Sequence, residues 1–344
     1  MGNDGSAGSA LSWVAAPLDA LRVLTGAKSF RSSIIGSEAL NRRGLHVWRS
    51  RMAYRLAARR RRRLEHLVAP ADRDAFARDG AVTKPDFLPP ELFADLVRQV
   101  HALRVPAREM REGNAVTRRI AITEEVKANA PALAALLDHP VFQGLTRYVS
   151  SFDEEPLVQI QTIFAGAPDA KADPQTSLHM DTFHPTMKAW FFLHDIADDE
   201  GPFTYVLGSH KLSPRRLAWQ KRQSVLASAG HGGGAFRLTP RELPRLRWPM
   251  PHRFAVAGNT LVVGDTFGFH ARAHSAKATV RIEIYASSRP NPFKPVIGFG
   301  LDRLPFVGRR RSEAFWWLQD RLAPLGLMKA TWKDVGRVSP AARS

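Results

Sequence analysis

Two short segments of the chain carry side chains that could bind a metal ion together. His179 and Asp181 are separated by one residue in the first segment, and His270 ends the second, about ninety residues later. Two imidazoles and one carboxylate can hold Fe(II) on one face and leave three coordination positions open. The His-x-Asp pair alone has no weight, because about one is expected by chance at this frequency of histidines and acidic residues.

The residues around the pair are typical of a strand or a turn, where positions i and i+2 point to the same side. One strand could therefore offer His179 and Asp181 to the same ion. The third ligand must come from elsewhere, and a double-sheeted roll brings distant strands together over its mouth. We prefer His270 because of its spacing to a later arginine, Arg281. The rivals are His274, at the same end, and the less favoured His184 and His194.

Arg281 follows His270 by eleven residues and lies within an apolar run. A buried guanidinium without a partner is costly, so this arginine needs an acidic neighbour or an anionic ligand. One interpretation is a structural ion pair with Glu283 or Asp265. The other is a clamp for the distal carboxylate of a bound 2-oxo acid, because a guanidinium binds a carboxylate through two parallel hydrogen bonds.

Short apolar runs separated by turns dominate the sequence after Pro156 and predict the elements that position these residues. Six or more such runs favour a barrel or jelly roll over alternating strands and helices. Apolar residues at helical spacing predict flanking helices. The predicted fold class is therefore mainly β with flanking helices (α+β). Strands are expected at residues 157–164, 188–193, 203–207, 254–257, 260–263 and 280–285, and helices from residue 72, from residue 90, at 131–149 and near 313–322.

Charge is distributed unevenly along the chain of 344 residues, whose formal net charge is +18. Residues 1–70 hold thirteen lysines and arginines against four acidic residues, which is half of the excess. This asymmetry indicates an anionic partner for the region: a membrane surface, nucleic acid or an acidic protein. The chain has no cysteine, which excludes disulfides, thiolate zinc sites and cysteine nucleophiles.

Residues 45–68 of this basic region are predicted to form a helix with an apolar stripe opposite a face of arginines. It could be a solvated helix packed on the main domain, or an amphipathic helix in peripheral contact with an anionic membrane. Nucleic-acid binding is the least favoured, since aromatic platforms and a reading helix are absent. No run approaches the length of a membrane span, and residues 1–10 suggest disorder rather than a signal peptide. The expected location is cytoplasmic, with the option of the membrane surface.

Longer motifs accompany the candidate ligands. Residues 201–211 read GPFTYVLGSHK, between the His179-x-Asp181 pair and His270, and Arg281 follows. With these motifs the chain resembles the phytanoyl-CoA dioxygenase family of Fe(II)/2-oxoglutarate-dependent oxygenases. Phe76–Gly80 (FARDG) and the Phe87-Leu88 pair match the start of the family's domain, so the resemblance covers about residues 71–300.

The resemblance implies a double-stranded β-helix (jelly-roll, cupin-like) core and three cofactors: Fe(II), 2-oxoglutarate as co-substrate, and O2. It implies that His179, Asp181 and His270 ligate iron, and that Arg281 binds 2-oxoglutarate. Many relatives have a small hydroxylic residue two positions after the arginine, where this chain has Glu283. The second partner of the co-substrate carboxylate is therefore open. Candidates for the wall of the co-substrate pocket are Gln161, Trp190 and Thr204.

The implied reaction is hydroxylation of an unactivated C–H bond in a small-molecule or lipid-linked substrate, with succinate and CO2 as co-products. Asp181 favours it, because halogenating relatives lack this carboxylate. The alternative is an inactive relative that binds a ligand, a membrane or nucleic acid through its basic N-terminus.

The expected domains are a basic extension (1–70) and an oxygenase domain (71–344) with an irregular insertion at about 211–250. Basic, tryptophan-containing flanks favour an anionic substrate: Arg215, Arg216, Trp219, Arg245, Arg247 and Trp248.

Overall fold

The computed structural model describes residues 20–166, 173–294, 311–325, 328 and 331–342. The disorder expected for residues 1–10 lies outside these ranges. In the described residues the strands are β1 Ala81–Lys84, β2 Val105–Glu112, β3 Ala115–Ala121, β4 Leu157–Ala165, β5 Met187–Phe192, β6 Phe203–Tyr205, β7 His252–Arg253, β8 Thr260–Asp265, β9 His270–Arg272, β10 Thr279–Ser288 and β11 Lys333–Val338.

Within the described residues the strands form two antiparallel sheets. The larger sheet has eight strands in the order β1-β8-β5-β10-β4-β3-β2-β11, and the smaller has three in the order β7-β6-β9. Two adjacent residues of β5 show how the sheets pack, since successive side chains point to opposite faces of a strand. Phe191 packs against the helices, whereas Trp190 faces the smaller sheet and its ring lies 4.1 Å from that of Phe203. Two facing sheets with helices on the outside confirm the predicted jelly-roll class.

Helices cover the outer face of the larger sheet. Phe142, Leu145 and Val149 pack from one helix against the sheet core. The described helices are α1 Glu38–Arg42, α2 Leu45–Leu64, α3 Pro70–Asp79, α4 Pro90–Ala102, α5 Glu124–Asn129, α6 Ala132–Leu137, α7 Pro140–Ser150, α8 Pro214–Ser228, α9 Leu243–Leu246 and α10 Arg311–Leu322. None of the described helices is both long enough and apolar enough to cross a bilayer.

Three predicted elements are wrong in detail. The helix at 131–149 is divided into α6 and α7, because Pro140 cannot continue a helix but suits the first turn of the next. Residues 254–257 form no strand; only Val256 makes an isolated bridge, to Ile196. The insertion is not irregular throughout, since 214–228 form α8. Its buried face includes Arg216, Gln220 and Ser224, so the apolar periodicity that reveals a helix is missing from the sequence.

The arginine face of α2 is not uniformly solvated, contrary to the simplest interpretation of the sequence. Arg49, Arg60 and Arg61 are buried. The guanidinium of Arg61 lies 2.9 Å from the carboxylate of Asp265, at the end of β8. Arg60 donates to the carbonyl of Ser151 at 3.0 Å. Residues 45–64 are therefore packed into the body of the protein through three of their arginines.

Candidate metal centre

His179 and His270 lie opposite each other on neighbouring extended segments. The amide of His179 donates to the carbonyl of His270 at 2.9 Å, and the amide of His270 donates back at 3.0 Å. This reciprocal pair fixes the register, and the two imidazole rings lie 4.5 Å apart. Asp181 follows two residues after His179 and faces the same side. The extra segment thus extends the smaller sheet beyond β9 and brings the three side chains together.

The three donor atoms are close enough for one ion. Oδ1 of Asp181 lies 3.7 Å from Nε2 of His179 and 3.5 Å from Nε2 of His270. All three ligand atoms lie within 4.8 Å of one another, and no other such group of histidines and acids occurs among the described residues. His274, which is exposed, lies outside the group, and so do the buried His184 and the half-buried His194. The geometry therefore favours His270 over its rivals.

The proton positions of both histidines are set by their neighbours. Nδ1 of His179 lies 2.8 Å from the carbonyl of Ser177, and Nδ1 of His270 lies 3.0 Å from that of Gly268. A carbonyl only accepts, so each Nδ1 carries the proton and each Nε2 presents a lone pair. Nε2 of His270 is buried and has no hydrogen-bond partner. Such an orphan is unfavourable unless something binds it, and Fe(II) suits an imidazole–carboxylate donor set.

Charges around the site favour the metal-binding forms of the ligands. Burial lowers the pKa of His179 to about 3, which keeps its imidazole neutral. Burial opposes ionisation of Asp181, but the ammonium of Lys188 and the neighbouring His270 together outweigh it, so the pKa of this carboxyl lies well below its ordinary value. Nζ of Lys188 lies 2.7 Å from Oδ2 of Asp181. The lysine thus holds one carboxylate oxygen while the other faces the imidazoles.

Arg281 is buried on β10 and pairs with its neighbour on the same face. Its Nη1 donates to the carbonyl of Gly201 at 2.8 Å, and its Nε lies 3.0 Å from Oε2 of Glu283, although not aligned for a hydrogen bond. The other Glu283 oxygen accepts from Gln161 at 2.5 Å. Of the two structural partners considered for Arg281, Glu283 is present. Asp265 pairs with Arg61 instead.

A cavity of about 170 Å³ lies between the metal-binding group and Arg281. Both histidines line it, and so do two of the three wall candidates, Gln161 and Trp190. Thr204 is not among the lining residues; its hydroxyl donates to the carbonyl of Pro202 at 3.3 Å. Alternation along β4, β5 and β10 explains the set, since each strand points every second side chain at the smaller sheet.

Two cationic residues of the cavity, Lys188 and Arg119, were not identified from the sequence. Arg119 lies on β3 and donates to the side chains of Gln161 and Gln159, at 3.2 and 3.0 Å. In the described part of the chain, no acidic side chain pairs with it. Strand register is what brings Arg119 to the cavity, because Arg119, Gln161 and Glu283 are direct neighbours across β3, β4 and β10. That register cannot be read from the sequence.

The model of the phytanoyl-CoA dioxygenase (PhyH) family matches residues 76–279, which is more than half of the chain. The chain belongs to the phytanoyl-CoA dioxygenase family. This confirms the family resemblance and, with the three clustered donors, makes the protein a non-haem iron, 2-oxoglutarate-dependent enzyme. The matched residues include the metal-binding group but exclude β11, most of β10 and everything before α3.

Solved structures with a similar fold are distant. The non-haem α-ketoglutarate-dependent epimerase SnoN from nogalamycin biosynthesis is 20% identical, with a TM-score of 0.42 over 65% of this chain and 82% of that chain. The carbocyclase SnoK is 16% identical, with a TM-score of 0.39 over 64% and 83%. HygX from Streptomyces hygroscopicus, solved with nickel, 2-oxoglutarate and hygromycin B, is 14% identical, with a TM-score of 0.40 over 65% and 88%. No curated protein matches. The reaction must be argued from this chain's own residues.

Proposed function

We propose that this phytanoyl-CoA dioxygenase relative is a hydroxylase that oxidises an unactivated C–H bond of a small-molecule substrate. The observation that carries the proposal is the group of His179, Asp181 and His270 beside a cationic cavity. Iron bound there would, with O2 and 2-oxoglutarate, supply the oxidising power for C–H cleavage, and succinate and CO2 would be the co-products.

The ligand set favours hydroxylation over halogenation. His179 and His270 would hold the ion through Nε2, and Asp181 through Oδ1. The Asp181 carboxylate would fill the position that halogenating relatives leave open for chloride. Lys188 would hold Asp181 in one orientation, as partners of metal ligands generally do. The aromatic rings of Trp190 and Phe203 pack beside the cavity and would exclude water from the reacting atoms.

The cations of the cavity suit a dianionic co-substrate. Arg281 stands at the position that the family pattern assigns to 2-oxoglutarate binding, but the carboxylate of Glu283 partly neutralises its guanidinium. Arg119 lines the same cavity without an acidic partner among the described residues. We infer that these two arginines together bind the carboxylate of 2-oxoglutarate that is remote from iron. Gln161 accepts a hydrogen bond from Arg119 and donates one to Glu283, so it links Arg119 to the acidic neighbour of Arg281.

Anaerobic titration with Fe(II) and 2-oxoglutarate tests this proposal. The metal chelate of a 2-oxo acid absorbs visible light, so the wild-type protein should develop a charge-transfer band. Asp181→Ala and His270→Ala should abolish it, and His274→Ala, which removes an exposed histidine, should not. Oxygen admitted to the complex should then form succinate even without the true substrate, at a low rate. The absence of both band and succinate in the wild type would instead support the inactive, ligand-binding alternative.

A second candidate function is contact with an anionic lipid surface. Arg51, Arg55, Arg59, Arg62 and Arg63 are exposed along α2, and none has an ion-pair partner among the described residues. The exposed fractions of three apolar side chains are also high. Trp48, at the start of this helix, is 44% exposed, and Leu21 (65%) and Leu24 (51%) lie in the earlier segment whose Val23 carbonyl accepts from Arg49. An arginine stripe that ends in apolar residues fits anionic headgroups above acyl chains, each arginine contributing about 1 kcal/mol. A lipid-linked, anionic substrate would agree with such a surface.

Flotation with vesicles tests this second function. The protein should float with phosphatidylglycerol vesicles at low salt and not with phosphatidylcholine vesicles. The triple variant Arg51→Gln, Arg55→Gln, Arg59→Gln should remain at the bottom of the gradient. The matched control is Arg104→Gln, Arg241→Gln, Arg245→Gln, which removes three exposed arginines outside α2 and should still float. Equal flotation of both triple variants would rule out the α2 surface.

A further inference from the structure

We propose that Lys28 is a positioning residue for Asp181, so that residues 23–28, which precede α1, support the iron site. This inference rests on the proposed metal centre. Nζ of Lys28 donates to the main-chain carbonyl of Asp181 at 2.7 Å, across 153 positions of sequence. Lys28 lies outside the residues that the family model matches, in the N-terminal extension.

The segment that carries Lys28 is held by a buried arginine of α2. The guanidinium of Arg49 donates to the carbonyls of Val23, Thr25 and Ala27, at 2.9, 3.0 and 2.7 Å. Arg49 is only 1% exposed. These three charge-assisted hydrogen bonds go to the carbonyls of every second residue, and they fix the course of the chain toward Lys28. The position of the Lys28 ammonium group is therefore fixed by packing, unlike that of a lysine on a free surface.

Helix α2 also directly contacts the segment that carries His179 and Asp181, here called the ligand segment (residues 179–183). The Arg49 guanidinium lies 4.0 Å from the ring centroid of Phe183, two residues after Asp181. The hydroxyl of Ser50 donates to the carbonyl of Phe183 at 2.8 Å. The N-terminal extension thus makes hydrogen bonds to two carbonyls of the ligand segment. Lys28 donates to that of Asp181, and Ser50 donates to that of Phe183.

The insertion supports Lys28 from the other side. Gly234 packs so closely that a Cβ atom there would lie 1.9 Å from the carbonyl oxygen of Lys28, which only glycine permits. Two residues later, the carbonyl of Phe236 accepts a hydrogen bond of 3.0 Å from the amide of Met180, between His179 and Asp181. The segment with His179 and Asp181 therefore lies between the N-terminal segment and the insertion.

The expected effect of Lys28 on the metal follows from these contacts. The hydrogen bond from Lys28 to the carbonyl of Asp181 fixes the peptide plane after Asp181. It thereby restricts the direction of the Asp181 side chain. Lys188 holds Oδ2 of the same residue, which leaves Oδ1 in one place. Removal of a partner that orients a metal ligand lowers metal affinity by about 10- to 100-fold. Because Lys28 acts on the main chain, we expect the lower end of that range.

The experiment compares Lys28→Met, Lys28→Arg and wild type in the full-length protein. Calorimetric titration with Co(II), as an oxygen-stable stand-in for Fe(II), should show about tenfold weaker binding in Lys28→Met. The charge-transfer band of the Fe(II)–2-oxoglutarate complex should shift or broaden. Lys28→Arg, which retains a donor, should recover most of the affinity. The control Lys221→Met, which removes an exposed lysine of α8, should bind as wild type does.

The melting temperature of the metal-free protein separates positioning from simple stabilisation. It should be nearly the same in Lys28→Met and wild type. Unchanged Co(II) affinity and an unchanged band in Lys28→Met would overturn the inference. A loss of affinity that is accompanied by a large fall in melting temperature would overturn it too, because the contact would then only stabilise the fold. If the wild type itself binds no metal, the proposed function fails rather than this inference alone.

Discussion

The carboxylate of Glu283 lies 3.0 Å from Nε of Arg281, and both side chains are buried. The arginine that the family pattern assigns to 2-oxoglutarate thus shares its charge with an internal carboxylate. Gln161 holds the second Glu283 oxygen at 2.5 Å, so the acid is fixed in place. Under the proposed function, 2-oxoglutarate would compete with Glu283 for Arg281, and this competition should weaken the binding of 2-oxoglutarate.

Replacement of Glu283 by threonine should free Arg281 for the co-substrate. We expect the KM for 2-oxoglutarate to fall by about 3- to 10-fold, while the metal-free protein loses stability because a buried charge loses its partner. The measurements are succinate formation against 2-oxoglutarate concentration and the thermal shift at saturating 2-oxoglutarate, which should be larger than in wild type. Glu283→Gln, with the same shape and no charge, is the matched control and should show a smaller gain. A higher KM in both variants would mean that Glu283 helps to bind the co-substrate.

Arg119 should contribute to 2-oxoglutarate binding independently of Arg281. Charge-assisted hydrogen bonds contribute about 1.5–3 kcal/mol, so Arg119→Leu should raise the KM for 2-oxoglutarate by about 10- to 100-fold. Co(II) affinity without 2-oxoglutarate should be unchanged, because Arg119 bonds to Gln161 and Gln159 rather than to a metal ligand. The control is Arg111→Leu, which removes an exposed arginine of β2. Equal KM values in Arg119→Leu and wild type would show that the co-substrate does not reach β3.

Much of the fold was readable from the sequence, because strand alternation and glycine or proline turns are local signals. The strands at 157–164, 188–193 and 280–285 correspond to β4, β5 and β10. The helix α8 was missed because polar residues, among them the fully buried Arg216, occupy its inner face. Strand β9 was missed because three residues, beginning at His270, are too short to show a period.

The candidate site was only partly predictable for a similar reason. His179, Asp181 and His270 have types and spacings that the sequence displays, and the structure brings these three together. Lys28 and Arg119 reach the site through long-range packing and strand register. A lysine 153 positions away from its acceptor leaves no local pattern. The membrane role of α2 stays a prediction.

Three buried histidines outside the metal centre should make the protein sensitive to acid. Burial lowers the pKa of His46, His184 and His210 to about 3 in each case. Below about pH 6.5 the unfolded chain takes up protons that the folded protein does not, so stability falls with pH between about 6.5 and 3. Each histidine contributes a slope of up to about 1.4 kcal/mol per pH unit.

Chemical denaturation between about pH 7.5 and about pH 5 measures this slope. His210→Phe should reduce it by about one proton, because the ring of His210 packs against Phe76, at 5.3 Å between centroids, and its Nδ1 has no hydrogen-bond partner. His231→Phe, at an exposed position, should leave it unchanged. A slope that is the same in all three proteins would show that His210 is protonated in the folded state.

Arg61 and Arg62 are adjacent residues of α2 with opposite surroundings. Arg61 is buried, 2.9 Å from Asp265, and also donates to the carbonyl of Val149 at 2.6 Å, whereas Arg62 is exposed. Arg61→Met leaves the Asp265 carboxylate buried without its cation and should lower the free energy of unfolding by about 3–5 kcal/mol. Arg62→Met should change it by less than about 0.5 kcal/mol but weaken flotation with anionic vesicles. Denaturant unfolding of the two variants decides whether α2 is part of the folded core: equal stabilities would mean that it is only an attached surface helix.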